Sequence, residues 1–307
     1  MKRAWSIKEV EDGLQLQGPP DFSYSQNVNY LSRSALECLY EIEGERVIRA
    51  IRLANKPVLI EISGKERLLN VKLLTSVAAG RSDVLAEIAA YVGEWFDLER
   101  DMRPFYELAA RDPVLQGAAK AYAGLRVMGI PELFEALAWG IIGQQINLPF
   151  AYRLKRRLVE RYGDAAVHGG RTYYMFPAAE KVADLTVGAM DGLQLTVKKR
   201  EYLIDTAQLI AGGKLTKSAL LEAGSMRQAE RMLTEIRGIG PWTANYVLMR
   251  CLRFADAFPI DDVGLQLAVK SVLGLDRKPF KSELVDLSAH WRGWEAYAVF
   301  YLWRLLY

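Results

Sequence analysis

The feature that most constrains this chain is a change of hydrophobic period near Arg103-Pro104. Before it, apolar residues alternate. Leu36, Cys38, Tyr40 and Ile42 alternate with Glu37, Leu39 and Glu41; Val58, Ile60 and Ile62 with Leu59 and Glu61; Leu69, Val71 and Leu73 with Asn70 and Lys72. A period of two sends one set of side chains to one face, so residues 33–75 are expected to form strands of a sheet with one buried face. Asn55-Lys56-Pro57 and Ser63-Gly64-Lys65 are the expected hairpin turns. Val84, Leu85, Ile88, Val92 and Trp95 then put a helix over 81–96. Beyond Pro104 the period is helical. It runs through Phe134, Leu137, Ala138 and Ile141, through Ala244, Val247, Leu248 and Cys251, and through Trp294, Tyr297, Ala298 and Tyr301. Residues 163–177 read as a longer loop. The chain is therefore expected to be α+β, with an antiparallel α+β domain over 1–104 and a helical region over 105–307.

Composition excludes several classes. With 307 residues, 51% hydrophobic and 25% charged, there is ample material for a buried core. No apolar run of about 18 residues occurs, so no membrane span is expected. MKRAWSIKEVEDG lacks the apolar stretch of a secretory signal, and a cytoplasmic protein is expected. Cys38 and Cys251 are too few for a disulfide framework or a four-cysteine cluster, and they read as small buried hydrophobes. With His168 and His290 as the only histidines, no metal site is expected, and no G-x-S-x-G elbow is present. Residues 1–104 carry 14 Lys+Arg against 16 Asp+Glu, and the remainder 26 against 21, so a polyanion would meet the second part.

The most informative stretch is 226–270, which reads as helix, tight glycine turn, helix, loop, and a Pro-Ile-Asp-Asp start to another helix. Gly238-Ile239-Gly240-Pro241 makes a sharp reversal, because glycine tolerates positive φ and proline suits a first helical turn. Such a turn aims backbone N–H groups outward, where a phosphate oxygen can be held without sequence being read. Asp261 and Asp262 both stand where a helix cap or a fixed anion would, and spacing alone does not separate them.

Taken together, GIGPWTANY at 238–246, FPIDDVGL at 258–265, AWGIIGQQI at 138–146 and the tail WRGWEAYAVFYLWR at 291–304 resemble the helix–hairpin–helix DNA glycosylase superfamily, and within it the members that repair alkylated (3-methyladenine-type) bases. The resemblance covers nearly the whole chain, and those members carry an N-terminal antiparallel domain similar to one repeat of the TATA-binding protein. It implies an enzyme of base excision repair that binds double-stranded DNA as a monomer, without a cofactor, and flips the damaged base out. The family's catalytic carboxylate falls on Asp262, which leaves Asp261 as the expected cap. Bifunctional members have a lysine nucleophile where this chain has Trp242; an indole cannot form a Schiff base, so a monofunctional, water-using enzyme is expected. Trp242, Tyr246 and Trp303 are the expected base pocket, since a cationic alkylated base is drawn to an aromatic face. Arg304 departs from the aromatic found after the last tryptophan in the most similar members, which puts pocket shape in question. Gly238 and Gly240 are expected to touch phosphate, and their carbonyls to offer a monovalent cation site. The wedge that fills the gap left by the flipped base is expected on the 124–132 loop, at Val127 or Met128. Arg153, Lys155, Arg156 and Arg157 add a basic helix face. Three other readings stay open: a non-catalytic hairpin protein that only binds DNA, a glycosylase for oxidised guanine, and a helical protein unrelated to DNA.

Overall fold

The computed structural model describes residues 5–53, 56–75 and 80–306. Its first part is a six-stranded antiparallel sheet of spatial order β1-β2-β6-β5-β4-β3. The strands are β1 (Ser6–Val10), β2 (Gly13–Gln17), β3 (Tyr40–Glu43), β4 (Arg46–Leu53), β5 (Lys56–Lys65) and β6 (Leu68–Leu73). Helices α1 (Tyr24–Leu31) and α2 (Arg81–Trp95) accompany it. Leu16, Val47, Ile51, Ile60, Ile62, Leu69 and Val71 pack against Leu85, Ile88, Val92 and Trp95 in one core.

The helical part follows as α3 (Arg103–Ala109), α4 (Gln116–Ala121), α5 (Leu133–Gly143), α6 (Leu148–Tyr162), α7 (Ala179–Ala183), α8 (Val197–Ala211), α9 (Lys217–Leu221), α10 (Met226–Thr234), α11 (Pro241–Arg250), α12 (Val263–Leu273), α13 (Lys281–Ser288) and α14 (Glu295–Trp303). The α+β class, with an antiparallel sheet domain ahead of a helical region, is the one expected. No helix among the described residues is long and apolar enough to cross a membrane.

Several local expectations are corrected. Residues 163–177 are no plain loop: β7 (Ala165–His168) and β8 (Arg171–Tyr174) form a hairpin, turned by Gly169 and Gly170, both at positive φ. Its Ala166 and Tyr173, with Met175, cover Ile48, Ala50 and Leu59 on the second face of the sheet, which is why β4 and β5 are buried on both faces where one was expected. Ser63-Gly64-Lys65 is strand, paired with Asn70, Leu69 and Leu68, and the turn falls on Glu66 and Arg67. Gly64 is needed for packing instead, since a Cβ there would stand 2.6 Å from the Tyr24 ring. Lys56 and Pro57 open β5, and Asn55 lies outside the described residues.

Alternation also failed over 34–39, which is not strand. There the Glu37 carboxylate accepts the amides of Cys38 (2.8 Å) and Leu39 (3.0 Å) and binds the Lys155 ammonium at 2.5 and 2.7 Å. A buried carboxylate that takes two backbone donors bends its own segment. Lys155 is thus spent on an ion pair between the two parts of the chain, and Arg156 donates to the Glu37 carbonyl at 3.2 Å. The basic face expected along α6 is in part an internal joint. Cys251 is buried and Cys38 half-buried, and burial pushes both thiols up to about 12.

Candidate functional site

The hairpin is built by packing. α10 ends at Thr234, and the chain reverses through Ile236, Arg237, Gly238, Ile239 and Gly240 into α11. Ile239 is buried and anchors the turn in the core. Gly238 has φ 91°, and a Cβ there would lie 2.3 Å from the ring of Tyr202 on α8. Position 238 therefore needs glycine twice over, for conformation and for contact. Gly238→Ala is expected to cost about 1–3 kcal/mol of stability, measured by chemical denaturation; a change within a few tenths would show that the ring yields freely. Gly240 is the N-cap of α11 and supplies no side-chain cap, so the first-turn amides are presented outward.

Asn245 ties α11 to the loop that follows it. Its Nδ2 donates to Glu230 Oε1 at 2.6 Å, and its Oδ1 accepts the Phe258 amide at 2.8 Å. That fixes the start of Phe258-Pro259-Ile260-Asp261-Asp262, and the Asp262 amide closes a turn onto the Pro259 carbonyl at 3.0 Å.

Asp262 is the centre of the site. Its Oδ2 accepts the indole N–H of Trp242 at 2.8 Å, and its Oδ1 accepts that of Trp303 at 2.7 Å. Oδ1 also accepts the Leu265 amide at 2.8 Å, so Asp262 is itself the N-cap of α12. The expected division of labour is corrected here: Asp261 does not cap but is exposed and pairs with Lys281 at 2.8 Å. Capping and an outward carboxylate edge are compatible, since a carboxylate has about four acceptor sites. Gly264 makes this approach feasible, because a Cβ there would meet Asp262 Oδ1 at 2.9 Å and the Trp303 ring at 3.2 Å.

The carboxylate lines a cleft of about 790 Å³, within the range of small-molecule sites. Trp242 stacks on Tyr246 with centroids 5.5 Å apart and planes at 21°, and Tyr246 lies 6.4 Å from Trp303. The three expected aromatics thus meet at one place. Tyr246 is buried, and Arg250 beneath it donates to its hydroxyl at 3.1 Å and to the Met128 carbonyl at 2.6 Å. Burial pushes the Tyr246 phenol well above its usual range, so it stays neutral. Arg304 does not reach the cleft: its guanidinium lies over the Tyr122 ring at 4.8 Å. The departure at that position leaves the lining untouched.

Several lining residues were not anticipated. Tyr30 and Arg33, at the end of α1 and just beyond, bring the sheet domain into the cleft wall. No motif marks them, because they reach the site only through the packing of the two parts. Gln144 and Gln145 line both the cleft and an adjoining open groove of about 690 Å³ that runs along the hairpin. The Gly-Gln-Gln run was visible in the sequence and could have drawn attention to them.

The wedge expectation is corrected. Val127 and Met128 are 2% and 0% exposed and belong to the core, so neither projects toward a ligand. The carbonyls of Gly238 and Gly240, where a monovalent cation was expected, each accept one hydrogen bond. The Gly240 carbonyl accepts the Ala244 amide as the first hydrogen bond of α11, and the Gly238 carbonyl accepts Gln144 Nε2 at 2.9 Å.

A sheet domain joined to helices that set a glycine hairpin beside an acid-bearing aromatic cleft is the architecture of the helix–hairpin–helix base-excision class. Comparison with known proteins agrees. The profile of the HhH-GPD superfamily base excision DNA repair proteins matches residues 138–291, and that of the AlkA N-terminal domain residues 13–132. A DNA-3-methyladenine glycosylase of Bacillus subtilis is 46% identical over 97% of this chain and 99% of its own. The 3-methyladenine DNA-glycosylase of Archaeoglobus fulgidus shares the fold, with TM-score 0.81 at 22% identity over 94% and 97% of the two chains. So does an 8-oxoguanine glycosylase/lyase of Clostridium acetobutylicum bound to DNA, with TM-score 0.77 at 19% identity over 99% and 98%. The chain belongs to the HhH-GPD superfamily of base excision DNA repair proteins.

Proposed function

We propose that the chain is a monofunctional DNA glycosylase that flips alkylated bases of the 3-methyladenine type out of double-stranded DNA and hydrolyses the bond between base and sugar, leaving an abasic site. The observation that carries this reading is the Asp262 carboxylate, held by the indole N–H groups of Trp242 and Trp303 in the wall of an aromatic cleft. The Bacillus subtilis relative, similar along nearly the whole chain, is described as a DNA-3-methyladenine glycosylase.

As the base departs with the bonding electron pair, positive charge builds on the sugar. A carboxylate already oriented by three N–H donors stabilises that charge without reorganising at the moment of reaction. Water then bonds to the sugar carbon through an oxygen lone pair, and its released proton passes to solvent. Alkylation at a ring nitrogen makes the base a good leaving group and draws it to the aromatic faces of Trp242, Tyr246 and Trp303. Trp242 stands on the hairpin where an amine nucleophile would have to be, so no covalent imine forms and the strand stays whole.

The hairpin amides at Gly238 and Gly240 hold a phosphate in the groove, next to the cleft that takes the base. We assign the wedge to Gln145. It is exposed, sits at φ 57° on the turn between α5 and α6, and borders both cleft and groove. One chain suffices for one base, so the protein acts as a monomer, with a catalytic helical region from about residue 105 resting on the sheet domain.

The test is release of free base from a methylated duplex, with strand breaks scored before and after hot alkali. Base release with breaks only after alkali is expected. Breaks without alkali would establish lyase chemistry and overturn the role of Trp242; release of oxidised guanine alone would place the chain with the oxidised-base enzymes; tight binding with no release would leave a protein that only clamps DNA.

A further inference from the structure

α8 touches both elements that face the DNA in the proposed function. Lys199, near its start, sends its ammonium to the carbonyls of Ile142 and Gln144, both at 2.8 Å, at the C-terminal end of α5. Tyr202, one helical turn further on the same face, supplies the ring on which Gly238 of the hairpin rests. Arg237 of the hairpin lies over that ring at 5.3 Å and pairs with Glu201 at 2.6 Å and Asp205 at 3.4 Å, both on α8.

The turn and the hairpin are also joined directly. Gln144 Nε2 donates to the Gly238 carbonyl at 2.9 Å and to Thr243 Oγ1 at 3.2 Å. Close by, a Cβ on Gly140 would stand 2.6 Å from Thr243 Cγ2, so the Thr243 side chain of α11 packs directly on the backbone of α5. The residue that follows Gln144 is Gln145, at positive φ. A side chain at such a position is aimed by its own backbone, and here the backbone leading into it is pinned by Lys199 and by the Gln144 side chain.

We propose that Lys199 is a positioning residue for base extrusion: by gripping the α5 terminus while Tyr202 seats the hairpin, it holds the Gln145 turn and the phosphate clamp as one rigid unit, so that engagement of the backbone and filling of the vacated stack happen together. The proposal rests on the glycosylase reading and on Gln145 as the wedge. Burial lowers the pKa of the Lys199 ammonium, a cost that its carbonyl contacts offset. A residue that served the helix end alone would affect all substrates alike.

The experiment compares single-turnover excision of one alkylated base from a matched duplex and from a one-nucleotide bulge, where extrusion costs less. Lys199→Met removes the donors, and Lys199→Arg keeps the charge. The Met variant is expected to slow the duplex reaction about tenfold more than the bulge reaction, since misplacement by about 1 Å can cost up to about 10²-fold; the Arg variant is expected to restore most of the difference. Equal slowing on both substrates, no slowing on either, or an Arg variant as selective as Met would overturn the proposal. Absence of release by the wild type from either substrate would instead defeat the glycosylase reading itself.

Discussion

Asp262→Asn is expected to slow base release from a methylated duplex by at least about 10²-fold in single-turnover assays. Asparagine caps a helix as well as aspartate does, so the Leu265 amide keeps its acceptor and the start of α12 should stay formed. The amide carries no negative charge, and its N–H₂ would face one of the two indole donors, which then loses its acceptor. Asp262→Ala is the companion measurement, because it removes cap and charge together and should add about 1 kcal/mol of destabilisation. If Asp262→Asn kept most of the rate, the carboxylate would be a cap and nothing more.

The second large effect lies at the joint between the two parts. Glu37→Ala is expected to lower the unfolding free energy by about 3–5 kcal/mol at neutral pH, because it leaves the Lys155 ammonium buried without its counter-charge. Replacing both residues by Met should recover much of the loss, since an apolar pair of similar volume carries no desolvation cost. The effect has a pH signature. Burial opposes both charges, but attraction and hydrogen bonds from Lys155, with the amides of Leu39 and Cys38, hold the Glu37 carboxyl down at about 2. The pKa of Lys155 is raised by the same pairing against the same burial. A depressed acid contributes stability above its unfolded value of about 4.3, and that contribution is lost as pH falls toward 2. Denaturation midpoints of wild type and Glu37→Ala should therefore converge over that acid range. Parallel curves would mean that the pair contributes nothing specific.

The same joint explains which parts of the molecule were legible in the sequence. Helices at 81–95, 133–143, 241–250 and 295–303 followed from apolar spacing, because each buries a stripe against one core. Alternation over 34–39 misled because Glu37 bends the chain around its own carboxylate. The 165–174 hairpin escaped notice because its outer residues, such as Val167, are exposed and its inner ones pack on a distant strand. Trp242, Tyr246, Asp262 and Trp303 were found through motif order, and they converge because Asn245 and Gly264 permit the approach. Tyr30 and Arg33 could not be found that way, since their place in the cleft depends on how the sheet domain docks. Val127 and Met128 suggested a wedge because they look like apolar loop residues, while the loop that carries them is core.

In the proposed function, Trp242 binds the wall of the cleft and the reaction type into one side chain. Its ring face stacks on Tyr246 while its edge orients Asp262. Exchanging it for lysine would introduce an amine beside the sugar, but would also remove a face from the cleft and a donor from the carboxylate. Water-using and amine-using chemistry are therefore not neighbours in sequence space here. On that reading, a change from water to an amine nucleophile needs the surroundings of the acid rebuilt as well as the nucleophile installed.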